Sequence, residues 1–407
     1  MNEIIIIGGG FPGLVAALSF ASMQYRVKLF DVKDQLADSQ LHAFKPIVLN
    51  AASWQLLSAL ELTQSLQAKA YGLRQMHVLR HAWSTFTCRA DQKRHPHLGY
   101  VVMGADLQNH LAKAVDENPN ITCFLGHPID EIVAGEHPYI VYQQKQIKAD
   151  LLIVADGRNS AQRQALNMPY VTADWGKKAL VAAVKLKAPC PDAYLRFIDG
   201  GTIACIPTAH EVHQVIMTKN SEHAIFNQTK AEQQAYLNEA LGDVVAIDEL
   251  KQVMVFPLGE GVAQQVAIPG AILIGDAGFA IPPVGAQGLN LAFYDIASLL
   301  DLVVEAADQG MPLSSQQISD RHQASVKPHH DKLLKGVHAL VQIFDVQSTW
   351  LQTLHGLSLR IANHLPPIKR QIAEFGMGFR YPMPHLIRGR LPVSYPRVPI
   401  SEDTTHE

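Results

Sequence analysis

The chain has 407 residues and a mass of 44.7 kDa, more than one hydrophobic core usually organises, so two or three structural units are expected. Apolar residues make up 48% and charged residues 17% of the sequence, which excludes a wholly disordered protein. A formal net charge of -3 lacks the basic excess of a nucleic-acid-binding protein, so no nucleic-acid partner is expected.

The first predicted unit is β-α-β and covers residues 3–31. Residues 4–7 are a continuous β-branched run, typical of a parallel strand buried on both faces, and Gly8, Gly10 and Gly13 follow it at G-x-G-x-x-G spacing. An apolar helix over 14–23 and a strand ending at Asp31 complete the unit. These glycines allow a tight turn and close approach to a pyrophosphate, while Asp31 can accept hydrogen bonds from ribose hydroxyls. The unit predicts a dinucleotide site at a helix N-terminus.

Two later strands also carry glycine and aspartate at their carboxyl ends. Residues 151–155 end at Asp156 and Gly157, and residues 271–274 end at Gly275 and Asp276. Three such strands predict a doubly wound parallel α/β sheet whose ligand lies across the strand ends. Residues 176–268 contain β-prone stretches punctuated by glycine and proline, which predicts a mostly antiparallel layer over the ligand.

The chain after residue 330 is predicted to be helical, because its apolar residues repeat at helix spacing. The stretch 360–397 is basic, with one acid, Glu374, against seven cations: Arg360, Lys369, Arg370, Arg380, Arg388, Arg390 and Arg397. Such a stretch fits either a solvated face or a surface for a partner protein or anionic lipid.

Other signals in the sequence are not expected to mark a site. His329 and His330 have no third metal ligand at a suitable spacing, so they are predicted to be exposed residues at a helix start, and no metal is expected. The tryptophans are predicted to be core residues rather than a ligand cage, and they are Trp54, Trp83, Trp175 and Trp350.

The cysteines and the hydropathy pattern indicate the cellular compartment of the protein. The cysteines lie far apart without a C-x-x-C pair, which excludes a disulfide scaffold and suits a reducing compartment. No apolar run approaches the roughly 18 residues of a membrane span. The first residues lack the basic segment of a signal peptide. A cytoplasmic protein is therefore expected, with peripheral contact to a membrane as a further possibility.

The motifs together resemble one flavoprotein family. Asp156 and Gly157 begin a D-G-x-x-S-x-x-R-x-x-L pattern, and the Gly275-Asp276-Ala277 motif is followed by Pro-Pro-Val-Gly-Ala-Gln-Gly-Leu-Asn at 282–290. The chain resembles the class A flavoprotein aromatic hydroxylases, which have the para-hydroxybenzoate hydroxylase fold. Segments 50–62, 98–108 and 344–378 are similar to the ubiquinone-biosynthesis hydroxylases within that class.

The resemblance implies a set of site residues. Asp276 would hydrogen-bond the ribityl chain, and backbone N–H groups near Leu289 and Asn290 would face the flavin, where a helix N-terminus stabilises the negative charge of the reduced ring. Pro283 would contact substrate, and no catalytic side chain is expected. The full set of residues expected to bind FAD is Gly8, Gly10, Gly13, Asp31, Lys45, Gln108, Asp156, Gly157, Gly275, Asp276, Gly288, Leu289 and Asn290.

The resemblance also implies an order of domains. Residues 1–170 and 269–330 are expected to form the two parts of an FAD-binding domain, 171–268 a substrate-binding β-sheet layer, and 331–407 a C-terminal helical region. The apolar walls of the substrate pocket are expected to come from this layer, and the residues are Phe197, Ile198, Ile203, Ile206, Val255 and Phe256.

The implied activity is that of an FAD-dependent monooxygenase. NADH or NADPH would bind transiently, because no second G-x-G-x-x-G follows a strand, and would reduce FAD. Oxygen would then give a flavin C4a-hydroperoxide that hydroxylates an aromatic ring. The expected substrate is a lipophilic prenylated phenol or quinone precursor in ubiquinone biosynthesis, with the basic C-terminal region contacting a membrane or a biosynthetic complex. The alternatives are a hydroxylase of a soluble aromatic or alkylquinolone metabolite, and a flavin-binding accessory subunit without turnover.

Three residues depart from the family pattern. Phe279 stands where many relatives have histidine, and Lys45 and Ala105 stand where arginine is expected. Lys45 can neutralise a phosphate as a point charge, but it cannot form the bidentate hydrogen bonds of a guanidinium. We expect Lys45 to lie at the cofactor phosphates or at the pocket mouth. Together these departures motivate the accessory-subunit alternative.

Overall fold

A six-stranded sheet lies at the centre of one half of the molecule. The computed structural model describes residues 2–37, 45–81, 83–90, 95–210, 212–282, 286–344, 348–379 and 382–393. In spatial order the strands are β18 (Ala267–Ile268), β19 (Ala271–Leu273), β12 (Leu151–Val154), β1 (Glu3–Ile7), β2 (Arg26–Asp31) and β8 (Ile121–Leu125). Neighbouring strands are parallel, except that β18 runs antiparallel to β19 at the edge. The predicted parallel α/β sheet is confirmed.

Strand β1 is buried on both faces, as its run of isoleucines predicts. Ile4 and Ile6 pack against helices on one face, and Ile5 and Ile7 pack against a small antiparallel sheet on the other. The helices are α1 (Phe11–Ser22), α4 (Gly104–Asp116) and α7 (Gly288–Asp308). The small sheet consists of β9 (Glu131–Val133), β10 (Tyr139–Tyr142) and β11 (Lys145–Lys148).

An eight-stranded, mostly antiparallel sheet forms the second layer. In spatial order its strands are β20 (Phe279–Ala280), β17 (Ile247–Ala263), β13 (Tyr170–Leu186), β16 (His213–Asn220), β15 (Gly201–Pro207), β14 (Ala193–Ile198), β5 (Gln75–Leu79) and β6 (Thr85–Arg89). Helix α6 (Lys230–Leu241) covers one face and begins with a capping box between Thr229 and Glu232. Besides strands from the predicted range 171–268, the second layer therefore contains β5 and β6, from within residues 1–170, and β20, at residues 279–280.

A three-stranded sheet joins these two layers. Its strands are β3 (Pro46–Asn50), β7 (Gly99–Met103) and β4 (Ala70–Leu73). Two short helices, α2 (Ala51–Ala59) and α3 (Thr63–Leu66), lie between β3 and β4, and a third, α5 (Ala161–Ala165), lies between β12 and β13. The side chain of Asn50 accepts a hydrogen bond from the N–H of Ser53, which caps α2 at the end of β3.

The C-terminal part is helical, as predicted, and consists of α8 (Gln316–Phe344), α9 (Thr349–His364) and α10 (Pro366–Gly376). Within the described ranges, every helix is too short or too polar to span a lipid bilayer. Helix α8 runs through Pro328 instead of starting beside it. His329 and His330 are consequently only 7% and 5% exposed, so the prediction that they are surface residues is wrong.

Two of the tryptophans also depart from prediction. Trp350 is 65% exposed and Trp83 is 46% exposed, so the prediction of a core position is wrong for both. Trp54 and Trp175 are half-buried, and the Trp54 ring stacks on that of Tyr100 with centroids 3.9 Å apart.

Candidate functional site

The loop between β1 and α1 depends on glycine for two different reasons. Gly8 has a φ of +114°, and a side chain there would collide with the carbonyl oxygen of Ala155. A Cβ atom on Gly13 would overlap the carbonyl oxygen of Gly8. In contrast, a Cβ atom on Gly10 would have only the Cδ atom of Pro12 near it, at 3.9 Å. Gly8 and Gly13 are thus required by the packing of the chain itself, while Gly10 leaves open space above the N-terminus of α1.

Asp31 and Gln108 hold this loop in place. The carboxylate of Asp31, at the end of β2, accepts hydrogen bonds from the N–H of Gly9 and, at 2.8 Å, from the N–H of Lys33. Gln108 on α4 is 2% exposed, and its Nε2 donates to the carbonyl oxygens of Gly9 at 2.9 Å and Leu36 at 2.7 Å. Its Oε1 is buried and has no partner among the described residues. This oxygen is a free acceptor beside the loop.

Asp156 lies at the end of β12, beside β1. Its Oδ2 accepts a hydrogen bond from the N–H of Gln162 at 3.3 Å, while its buried Oδ1 has no partner within the described ranges. Burial raises the pKa of the Asp156 carboxyl, and a hydrogen bond from Ser160 lowers it. Gly157 follows with a φ of +88°, which turns the chain away from the strand.

Arg163 connects the motif at 156–157 with the motif at 275–276. It is 3% exposed, and its Nη1 donates to the carbonyl oxygens of Arg158 at 3.1 Å and Ala277 at 2.9 Å. The guanidinium also lies over the ring of Tyr170, 3.6 Å from its centroid. The Tyr170 hydroxyl in turn donates to the backbone oxygen of Asp276 at 3.1 Å. Arg163 and Tyr170 therefore brace the Asp276 turn, although neither was predicted as a site residue.

The side chain of Asp276 faces a cleft. It is open to solvent yet recessed among many protein atoms, and this burial raises the pKa of its carboxyl. The positive charges of Arg158 and Lys45 lower that pKa. Lys45 is exposed, and its positive charge acts on the carboxyl of Asp276. Gly275 has a φ of +59° and brings this turn against Pro12 at the start of α1.

The start of α7 is fixed by Asn290. Its Oδ1 accepts a hydrogen bond from the N–H of Asn50 at 2.9 Å, and its Nδ2 donates to the carbonyl oxygens of Val48 at 2.9 Å and Ala286 at 2.6 Å. The side chain is 5% exposed and is fully occupied in joining α7 to β3. Among the described residues no side chain caps α7, and the N–H groups of its first turn, at Gly288 and Leu289, lie where a helix has no acceptor of its own for them. Pro283 lies outside the described residues.

Buried histidines of α8 pack beside α7. His330 Nε2 on α8 lies 2.8 Å from Asp295 Oδ2 on α7, and the His330 ring stacks on Phe279 with centroids 4.4 Å apart. His322 is completely buried, and burial lowers its pKa to about 4. Burial also lowers the pKa of His329. Phe279, a departure from the family pattern, is thus part of the packing that holds α7.

The apolar walls predicted for the β-sheet layer lie only partly on the expected face. Ile203 is completely buried and, with Ile198, packs in the cluster that contains Leu237 and Leu241 of α6. Their predicted place in the pocket wall is therefore wrong. The cause is the alternation of side chains along a strand, which sends neighbouring residues to opposite faces.

Known proteins share the sequence pattern and the fold. Residues 1–312 match the family model described as an FAD binding domain. The chain is 25% identical to the 3-demethoxyubiquinol 3-hydroxylase of Escherichia coli over 93% of this chain and 98% of the relative. It is also 25% identical to the mitochondrial ubiquinone biosynthesis monooxygenase of Drosophila melanogaster, over 92% and 89%.

Solved structures with this fold include a monooxygenase and a hydroxylase of aromatic compounds. The p-nitrophenol 4-monooxygenase of Pseudomonas putida superposes with a TM-score of 0.73 at 14% identity, covering 94% of this chain and all of that one. The anhydrotetracycline hydroxylase of Streptomyces rimosus gives 0.69 at 20% identity, covering 96% and 79%. The predicted fold and FAD-binding family are confirmed. The open space over Gly10 and the unpaired acceptors on Gln108 and Asp156 fit a bound dinucleotide.

Proposed function

From the premise that this chain belongs to the FAD-binding domain family and is an FAD-dependent monooxygenase, we propose that it hydroxylates the ring of a prenylated phenol, a quinone precursor. The observation that carries the FAD site is the meeting of three segments at Gly275, which lies against Pro12 at the start of α1 and Ala292 of α7; we call the space beside them the cleft. The names of full-length relatives in ubiquinone biosynthesis support the substrate class.

Each part of the cleft has a role in holding FAD. The loop at Gly10 and the N-terminus of α1 bind the pyrophosphate, and Asp31 accepts hydrogen bonds from the adenosine ribose. Asp276 binds the ribityl chain, and Lys45 offsets negative charge at the same opening. The first-turn N–H groups of α7 stabilise negative charge on the flavin ring. Bound FAD supplies the electron transfer and oxygen activation that no side chain here provides.

The remaining tasks of the protein are to position the aromatic ring and to exclude water. NADH or NADPH acts as a transient co-substrate, because the chain carries one dinucleotide motif. Pro283 contributes to the substrate side of the cleft. The basic residues between 360 and 397 contact a membrane or a biosynthetic complex, since the prenylated substrate resides in lipid.

The cofactor can be tested on the purified protein. We expect it to be yellow and to release FAD on denaturation, because the Gly10 loop and Asp31 suit the adenosine half that FMN lacks. Chromatography of the released flavin identifies the species. FMN as the main flavin would contradict the placement of both residues.

The substrate is tested in the host. Deleting the gene should cause a prenylated phenol lacking one hydroxyl group to accumulate, as measured by mass spectrometry of the quinones. An unchanged quinone profile, in a host without a redundant hydroxylase, would instead favour a soluble aromatic substrate. An accessory subunit would show no stimulation of NADPH oxidation by any aromatic substrate. Phe279 does not favour that alternative, because its ring packs on His330 and belongs to the cluster that holds α7 in place.

A further inference from the structure

Helices α9 and α10 expose a continuous row of large apolar side chains. The row follows steps of three or four residues, so it runs along one face of α9 and continues on α10. Each side chain is at least 39% exposed, and we call the row the apolar ridge: Trp350, Leu354, Leu357, Ile361, Leu365, Ile368 and Ile372. Large contiguous apolar surfaces of this kind usually mark an interaction site.

The opposite face of α9 is fixed to the body of the protein. Gln352 Nε2 donates to Asp199 Oδ1 at 3.1 Å, and Asn363 Oδ1 accepts a hydrogen bond from the N–H of Thr87 at 3.0 Å. Between them Gly356 is buried so closely against Trp83 that an added Cβ would lie 2.9 Å from its ring. These contacts set the rotation of α9, and the part of the apolar ridge on α9 therefore points away from the protein, while the part on α10 leads toward Phe375.

Helix α10 connects the apolar ridge to the cleft. One turn beyond Ile372, on the same face of α10 as Ile368 and Ile372, Phe375 packs against the cluster that contains Phe279 and Leu291, next to the Asp276 turn and the start of α7. The carbonyl oxygen of Met377, just after α10, accepts a hydrogen bond from the N–H of Ala52 at 3.0 Å. Any surface that binds the apolar ridge is thus separated from the flavin end of the cleft by one helix.

The charges beside the apolar ridge are mainly positive. Between residues 348 and 379 the cations are Arg360, Lys369 and Arg370, and the only acid in that stretch is Glu374. Glu374 lies 2.7 Å from Arg370, so its charge is already paired. Arg360 is exposed next to the ridge residue Ile361.

We propose that the apolar ridge docks the protein on a lipid bilayer with anionic headgroups, with α9 and α10 lying in the interface. An apolar helix face with tryptophan at one end and flanking cations is typical of helices that lie in the membrane surface. A second copy of the chain fits the ridge less well, since it would bring the cations of two copies together, and the one acid on the described helices α9 and α10, Glu374, is already paired with Arg370. The inference rests on the proposed function in one respect: a prenylated substrate gives the docking its purpose.

The test is flotation of the FAD-bound protein with two kinds of vesicle, pure phosphatidylcholine and phosphatidylcholine mixed with phosphatidylglycerol. We expect stronger binding to the anionic vesicles, weakened by salt. Leu354→Glu combined with Ile361→Glu should reduce the partition coefficient by about tenfold or more, because two large apolar groups no longer enter the interface. Arg360→Gln should reduce binding to anionic vesicles only.

A matched control is Met254→Glu, at an apolar residue of β17 that is 39% exposed and lies outside these helices. It should bind vesicles as the parent protein does. Unchanged binding by the Leu354→Glu, Ile361→Glu variant, with unaltered FAD content, would overturn the proposal. The proposal would also be overturned if the parent protein does not bind vesicles but forms dimers, and the double variant is monomeric. The ridge would then be a self-association surface.

Failure of the proposed function has a different signature. Vesicle binding that depends on the apolar ridge, without hydroxylation of any prenylated phenol, would leave the ridge proposal standing and remove the substrate assignment. Conversely, hydroxylation of a vesicle-borne prenylated phenol at equal rates by the parent and the double variant would overturn the ridge proposal alone. Turnover of a short-chain, water-soluble phenol should be the same in both proteins.

Discussion

The two ends of the cleft are built in different ways. The phosphate end comes mainly from one stretch, residues 3–31, supported by Gln108 of α4, and its key constraint is the backbone of the loop, where Gly8 and Gly13 have no room for a side chain. The flavin end is assembled from segments far apart in sequence, and buried side chains such as Arg163 and Asn290 hold it together. The phosphate end therefore depends mainly on glycines that let backbone segments approach each other, and the flavin end on the hydrogen bonds of buried side chains.

The largest expected effect is at the phosphate end. Gly13→Ala should yield little folded protein, because the new methyl group would overlap the carbonyl oxygen of Gly8. Gly10→Ala is the matched control: its methyl group fits the apoprotein but occupies the space above the loop. We expect an unchanged melting temperature without flavin and a greatly reduced FAD content. Equal destabilisation by both substitutions would mean that Gly10, too, serves only the fold.

At the flavin end, Asn290→Ala should destabilise the protein by about 3–4 kcal/mol, because three hydrogen bonds are lost and buried groups stay unpaired. Urea denaturation measures the change. Asn290→Asp should lose at least as much stability, since it keeps the acceptor for the N–H of Asn50 but sets a buried carboxylate oxygen against the carbonyl oxygens of Val48 and Ala286. If alanine were tolerated without loss, the side chain would not be what joins α7 to β3.

The histidines behind α7 should make stability depend on pH. The pKa of His322 is about 4 in the folded protein and 6.5 in its ordinary state, so the unfolded chain binds the proton more readily. The free energy of unfolding is therefore highest where His322 is neutral in both states. The contribution of His322 is complete above pH 6.5 and is lost as the pH falls toward about 4, a change of about 3 kcal/mol. His322→Gln should flatten that part of the stability profile, measured by denaturant unfolding. An equally steep profile in the variant would assign the effect to other groups.

Asp276→Ala should lower FAD affinity by about 1.5–3 kcal/mol, roughly tenfold to a hundredfold, through loss of a charge-assisted hydrogen bond. Titration of the apoprotein with FAD measures it. The control is Asp248→Ala, at an exposed acid on β17, which should bind FAD normally. Full occupancy of the Asp276 variant in dilute solution would remove the ribityl contact from the proposal.

The smallest expected effect is a gain at Lys45. Lys45→Arg should tighten FAD binding by a few-fold, since a guanidinium can hold a phosphate through two hydrogen bonds. The same titration detects the difference. Identical affinities would indicate that Lys45 is an ordinary solvated lysine whose charge reaches Asp276 but not the cofactor.

Patterns that are local in sequence were predictable. The isoleucine run of β1 identifies a buried parallel strand, and the glycine spacing after it identifies the dinucleotide loop, because both depend on neighbouring residues only. Errors arose where distant segments meet. Pro328 suggested a helix start, but α8 continues through it, and packing against α7 buries His329 and His330.

The sequence by itself determined the fold class, the cofactor family and the positions of the phosphate loop and the Asp276 turn. Steric limits on glycine and the burial of continuous apolar strands are properties of short segments. Only the tertiary structure decided that β5 and β6 join the second layer, that Arg163 braces the Asp276 turn, and that the apolar ridge is exposed. Strand pairing, hydrogen bonds between distant residues and the rotation of a helix on its neighbours are set by contacts across the chain, which no local pattern encodes.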